Sequence, residues 1–83
     1  MTAYVYVIAA QGARGRLTYV GWTLDLARRL AEHNGGKAGA KSTRGRQWDL
    51  LYAEKCPDRI AAMRREVFLK RDRALRRKIA HWL

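Results

Sequence analysis

Asp25, Arg29 and His33 recur at four-residue intervals, so on a helix an acid, a guanidinium and an imidazole share one stripe. They follow directly on Leu17-Thr18-Tyr19-Val20-Gly21-Trp22-Thr23, a strand-like run that carries a tyrosine and a glycine. A guanidinium fork matches phosphate oxygens, an imidazole or phenol moves protons, and a glycine admits close backbone approach. A helix that only covered a core would not need this stripe beside its apolar one. Leu26, Leu30, Ala27 and Ala31 already form an apolar stripe expected to pack inward, which leaves Tyr19, Arg29 and His33 for a phosphate-handling site. Taken alone, an Arg/His pair one turn apart is equally a solvated face, and Asp25 either orients Arg29 or caps the helix.

The elements that must position these residues are legible along the chain. Residues 3–10 read as a buried strand, Gln11 to Gly15 as a turn, and residues 16–22 as the second strand of a hairpin. Thr23 is the expected N-cap of a helix running to about Asn34, where Asn34-Gly35-Gly36 ends it. Residues 35–47 carry four glycines and four cations, with no acid, and cannot bury apolar surface. They read as a solvated loop or as a basic loop that closes on a phosphate backbone through Lys37, Lys41, Arg44 and Arg46. Trp48 to Lys55 is the third strand. Asp58 caps a second helix over 59–70, with Ile60, Met63, Val67 and Phe68 expected inward, and Asp72 caps a last one carrying Leu75 and Ile79. Trp82 or Leu83 either completes that last helix's core face or docks a partner. The expected architecture is a single small α+β domain over 1–83, in the order β-β-α-β-α-α.

Charge narrows the partners. Eighteen basic residues against seven acidic ones give a net charge of +11, which points to a polyanion, nucleic acid above all, rather than to a membrane surface. Between residues 59 and 78 there are nine cations and two acids. The one cysteine, Cys56, cannot form an internal disulfide, and no Cys/His cluster suggests zinc, so a reducing cytoplasmic setting is expected. No stretch has transmembrane length or the build of a signal peptide.

Taken together, the pieces resemble the GIY-YIG nuclease domain, in its short stand-alone bacterial form. The name motif is matched by Tyr4-Val5-Tyr6 and Tyr19-Val20-Gly21, the helix signature by Asp25 to Asn34, and the metal-binding acid by Glu66 within Arg64-Arg65-Glu66-Val67-Phe68-Leu69-Lys70. The resemblance implies a small three-stranded antiparallel sheet flanked by helices, and a metal-dependent phosphodiesterase leaving a 5′-phosphate and a 3′-hydroxyl. It implies Tyr6 as general base, Tyr19 as an orienting group, Arg29 on the scissile phosphate and His33 as support. Gly21 would be the point of close approach, and Glu66 the ligand of a single Mg²⁺ or Mn²⁺. Without the resemblance, each tyrosine reads as a packing aromatic, and Glu66 as a surface partner of Arg64, Arg65 or Lys70. The chain departs from the family in carrying Tyr4 at the name glycine and no asparagine beyond Glu66; that interaction is absent or replaced by Lys70.

The expected substrate is DNA, with RNA as an alternative, bound through phosphates and selected by shape rather than sequence. Arg65, Lys70 and the basic loop would supply backbone contacts, and a protein partner could deliver the enzyme to its target. The rival reading is a basic DNA- or RNA-binding module with weak or no catalysis, or a scaffold piece in a repair or ribosome-associated complex.

Overall fold

The structure, a computed structural model, describes residues 1–35 and 46–81. Strand β1 (Ala3–Gly12) turns through Ala13 and Arg14 into β2 (Gly15–Thr23), and Gly15 takes a φ of 119° that a side chain would resist. Strand β3 (Asp49–Cys56) pairs antiparallel with the other edge of β1, giving the sheet order β2-β1-β3. β1 is therefore central, which is why its Val-, Ile- and Tyr-containing run is buried from Val5 to Ala10. Between Val7 and Ile8 the register with β3 shifts, from Tyr52 to Leu50, so Leu51 bulges.

Alternation along β1 divides the core into two layers. Ala3, Val5 and Val7 join Val20, Cys56, Ala62, Leu69 and Ile79, with helices α2 (Arg59–Arg71) and α3 (Arg73–Ala80) on that face. Tyr6, Ile8 and Ala10 point the other way and meet Trp48, Tyr19, Leu26 and Leu30 under helix α1 (Leu26–Asn34). The buried residues of the first layer are aliphatic or small; the second mixes Tyr6, Tyr19 and Trp48 with aliphatic residues. Cys56 is a buried free thiol of the first layer, pushed up in pKa by that burial, as a space-filling role requires. Among the described residues, no helix is long and apolar enough to cross a membrane.

An aspartate caps each helix. Asp25 accepts from Arg28 N at 3.1 Å, Asp58 from Ala61 N at 2.8 Å and Asp72 from Leu75 N at 3.0 Å. Such caps contribute about 1 kcal/mol each. The cap of α1 is therefore Asp25 and not Thr23, whose hydroxyl accepts from Asp25 N at 3.1 Å and shapes the approach to the helix.

Two expected apolar faces are phased differently in the structure. On α1, Leu26 and Leu30 are half-buried as expected, but Ala27 and Ala31 are exposed. The inner stripe is Leu26, Leu30 and His33, with the imidazole extending the leucine line and Arg29 beside it. On α2, Ile60, Met63, Val67 and Phe68 are 46–56% exposed, whereas Ala62 and Leu69 are fully buried. The helix carries apolar residues on all sides, so periodicity does not set its phase. Ala62 lets α2 approach the sheet closely, and the same stripe turns Arg65 onto Glu54 of β3, at 2.8 Å. Trp82 and Leu83 lie outside the described residues, as do Lys37, Lys41 and Arg44.

Candidate active site

Tyr6 and Gly21 face each other across β1 and β2, and Ile8 faces Tyr19 one pair further on. A Cβ built on Gly21 would lie 2.6 Å from the Tyr6 hydroxyl and 2.7 Å from its Cζ, so the Tyr6 ring occupies the space a side chain there would need. Tyr19 Cε2 would also be only 3.1 Å away. The glycine is the slot in which the tyrosine lies.

From this slot Tyr6 reaches α1. Its hydroxyl lies 2.7 Å from His33 Nε2, and both side chains are removed from solvent, at 1% and 0% exposure. Tyr19 completes a three-ring cluster, its centroid 6.5 Å from that of Tyr6 and 5.1 Å from that of His33. Trp48 then packs edge-on against Tyr19. Arg29, one turn before His33, sets its guanidinium beside the Tyr6 hydroxyl while Glu32 holds it from the other side at 3.4 Å. Glu32 also draws Arg28, at 3.7 Å. Asp25 makes its cap instead of pairing with Arg29. Arg29 also lines a surface groove with Trp22, Thr23, Arg28 and Glu32, so it is reachable from solvent.

Burial sets the protonation of this pair. It pushes the Tyr6 phenol up from 10.0 to about 12, even though the hydrogen bond and charge of Arg29 act the other way. It also holds His33 below 6.5, with Arg29 repelling the imidazolium and Glu32 partly offsetting that. At neutral pH both groups are neutral. The 2.7 Å contact then runs in either direction: Tyr6 O–H donates to a bare Nε2, or an Nε2–H donates to the phenol oxygen. His33 Nδ1 is buried with no hydrogen-bond partner among the described residues, so the ring is anchored through Nε2 alone.

Glu66 enters from α2. Its charge reaches the Tyr6 hydroxyl and raises its pKa slightly, and its side chain is 20% exposed. One carboxylate oxygen lies 3.3 Å from Lys70 Nζ, one of the surface pairs the sequence offers for Glu66. No group of three or more His, Cys, Asp or Glu side chains gathers among the described residues. A single half-buried carboxylate fits a hard cation that keeps most of its water, as Mg²⁺ does, and does not fit a closed metal cage.

The structure thus brings Tyr6, Tyr19, Gly21, Arg29 and His33 together, with Glu66 in electrostatic reach of Tyr6 and Lys70 paired to Glu66. Arg65 is engaged elsewhere. Glu54 takes its guanidinium and also accepts from the Tyr52 hydroxyl at 2.6 Å, while Phe68 lies 4.9 Å beneath it. Arg46 is exposed just ahead of Trp48. One contributor is not evident from sequence patterns: Asn34 donates to Trp48 O at 3.1 Å and accepts from Trp48 N at 2.6 Å. That pairing ties the end of α1 to the start of β3 and holds the tryptophan against the ring cluster. Asn34 before two glycines reads as a helix stop, and nothing local to it announces a partner fourteen residues on. Glu32 contributes as well and, unlike Asn34, is marked in the sequence by its i, i+3 and i, i+4 spacing to Arg29 and Arg28.

Comparison with known proteins agrees with this arrangement. The family model of the GIY-YIG catalytic domain matches residues 2–79. A UPF0213 protein of Streptococcus pyogenes serotype M5 is 41% identical over 80 residues, covering 95% of this chain and 83% of that protein. A UPF0213 protein of Desulfotalea psychrophila is 44% identical over 68 residues, covering 81% of this chain and 59% of its own length. The solution NMR structure of a UPF0213 protein from Bacillus halodurans is 36% identical and superposes with a TM-score of 0.52, over 95% of this chain and 82% of that one. With the model matched from the first strand into the last helix, this chain belongs to the GIY-YIG family.

Proposed function

We propose that this protein is a metal-dependent endonuclease that hydrolyses phosphodiester bonds in DNA, with selectivity for nucleic-acid shape rather than sequence. The observation that carries the reading is the buried Tyr6–His33 hydrogen bond with Arg29 at the same hydroxyl. A solvated face would not bury an imidazole against a phenol.

The raised pKa of Tyr6, about 12, favours a relay over a standing phenolate. At pH 7 only about one phenol in 10⁵ would be ionised, so a standing phenolate is not the reactive form. Tyr6 instead takes a proton from the attacking water as it passes its own to His33 Nε2; the depressed pKa keeps the imidazole neutral, and the relay runs through the tautomer that carries its proton on Nδ1. The water oxygen bonds to phosphorus, the P–O3′ bond breaks, and the 3′ oxygen takes a proton from solvent. Arg29 grips the phosphate and the charge that builds on it, and Tyr19 orients water or phosphate. Glu66 would hold the divalent cation, which when bound neutralises phosphate charge. Lys70 then serves to position the Glu66 carboxylate.

The test is cleavage of single-stranded, nicked, flapped and branched DNA, with RNA counterparts, in Mg²⁺ or Mn²⁺. Wild type is expected to cut at least one branched or interrupted form, and Tyr6→Phe and Glu66→Ala to lose at least 10²-fold. Equal cleavage by both variants would remove these residues from the reaction. Tight, salt-sensitive binding with no cleavage in any metal would make the protein a binding module.

A further inference from the structure

A second cluster of cations lies on the opposite face of the sheet from Tyr6 and His33. Arg16 and Thr18 alternate along β2 with Val20, which belongs to the layer beneath α2 and α3. Arg73, Arg76, Arg77 and His81 follow at helical spacing along α3 and just beyond it, and these six residues line one hollow. Among the described residues that line it, none is an acid. Asp72, the nearest in sequence to Arg73, is turned to its cap at Leu75 N. Among the described residues, no carboxylate pairs with Arg73, Arg76 or Arg77, and Arg76 Nε is buried without a hydrogen-bond partner.

This arrangement is costly for a free protein. A buried N–H donor is ordinarily satisfied, and among the described residues nothing satisfies Arg76 Nε. Elsewhere in the same molecule half-buried cations are matched: Arg29 with Glu32, Arg65 with Glu54. The hollow differs in that three of its arginines, Arg73, Arg76 and Arg77, have no carboxylate partner among the described residues. Guanidinium forks, a hydroxyl and an imidazole are the donor set that tetrahedral phosphate oxygens take up.

We infer that the hollow between β2 and α3 is a second phosphate-binding site, which holds a backbone phosphate of the nucleic acid remote from the one being cut. The inference rests on the nucleic-acid reading above and deepens it. Phosphates held on both faces of a three-stranded sheet require the substrate to pass around the β2 edge. A straight duplex does so poorly, whereas a bent, nicked or branched one presents arms in two directions. The site would thereby supply shape selectivity that the catalytic residues do not.

The experiment uses the full chain carrying Tyr6→Phe, without metal, so that binding is read apart from catalysis. Arg76→Gln/Arg77→Gln is compared with its parent by fluorescence anisotropy on a branched and a straight duplex across a salt series, after thermal melts establish that both are folded. Losing one phosphate contact is expected to make the salt slope of log K shallower by about 0.9, with at least a tenfold loss of affinity on the branched form. A lesser loss is expected on the straight duplex. Arg76→Lys/Arg77→Lys, which keeps charge but not the fork, should fall between. Unchanged affinity and slope on both DNAs overturn the site. In a parallel arm, inorganic phosphate is titrated while the arginine Nε–H resonances are followed by NMR; a shift at Arg76 without any DNA effect would mean that the hollow takes free phosphate and would overturn the backbone assignment. Failure of the nuclease reading would appear differently, as absent cleavage by wild type with the binding difference intact.

Discussion

At the scale of single residues, burial does most of the chemistry. Tyr6 and His33 are both kept neutral by desolvation, and each has a pH consequence that can be signed. The unfolded chain protonates His33 near 6.5 and the folded chain only at lower pH, so this group's contribution to stability is complete above about 6.5 and is lost as pH falls towards the folded value. Tyr6 runs the other way. Its folded pKa of about 12 exceeds 10.0, so the stability it brings is complete below pH 10 and disappears as pH climbs to 12, by roughly 2–3 kcal/mol. Urea melts of wild type and Tyr6→Phe between pH 8 and 11 should therefore converge as pH rises; parallel curves would mean that the phenol is not held neutral by the fold. The cleavage rate should in turn rise with pH through an apparent pKa below 6.5, because His33 must be bare to accept the Tyr6 proton, and a limb centred above 7 would exclude that role. Gly21 tests the geometry of the slot. Gly21→Ala places a methyl 2.6 Å from the Tyr6 hydroxyl, and the displaced ring should cost about 1–3 kcal/mol and sever the His33 contact. A chemical-denaturation midpoint equal to wild type would show that the ring does not lie where the close approach requires.

At the scale of elements, what is legible in the sequence follows from how local its cause is. The hairpin, its glycine turn and two of the three expected caps can be read directly, because an alternating strand, a positive φ and an Asx cap depend on neighbours within a few residues. Most of the site follows too, since Tyr6, Tyr19, Gly21, Arg29 and His33 sit on elements whose pairing the motif order already implies. The phase of α2 is not legible in that way. Ile60, Met63, Val67 and Phe68 form as good an apolar line as Ala62 and Leu69 do, and the choice is made by Ala62 fitting under the sheet and by Glu54 waiting on β3 for Arg65. Leu69→Ala should consequently cost about 2–5 kcal/mol, whereas Met63→Ala and Val67→Ala should each stay near 0.5 kcal/mol in the isolated chain. The reverse order in thermal or urea melts would restore the phase expected from periodicity. Asn34 is hidden for a related reason: its partner is the Trp48 backbone, and a contact between two elements leaves no mark in either one. Removing its amide leaves the buried Trp48 N–H and C=O to find other partners, so Asn34→Ala should lose about 1–3 kcal/mol and loosen the ring cluster, read as a change in tryptophan fluorescence.

At the scale of the whole molecule, the placement of the seven acids explains why a charge of +11 is felt outside the protein rather than neutralised within it. Asp25, Asp58 and Asp72 are turned onto helix ends, and Glu32, Glu54 and Glu66 each take a cation at or near a defined site. Asp49 stands exposed at a strand end with no such duty among the described residues. The remaining cations therefore present a surface that is electrostatically attractive to phosphates. Affinity for nucleic acid should depend on phosphate density and shape, and hardly at all on sequence. With about six phosphates contacted, raising salt from 50 to 200 mM would weaken duplex binding by about 10³-fold. This is measurable by anisotropy with the Tyr6→Phe protein on two unrelated duplexes of one length, and on branched versions of each. The expected result is two superimposable salt lines for the straight duplexes and a steeper pair for the branched ones, since the branched form engages more phosphates at once. Lines that separate by sequence instead of by shape would mean that base edges are read, and the recognition surface would then have to be sought outside both the Tyr6 site and the α3 hollow.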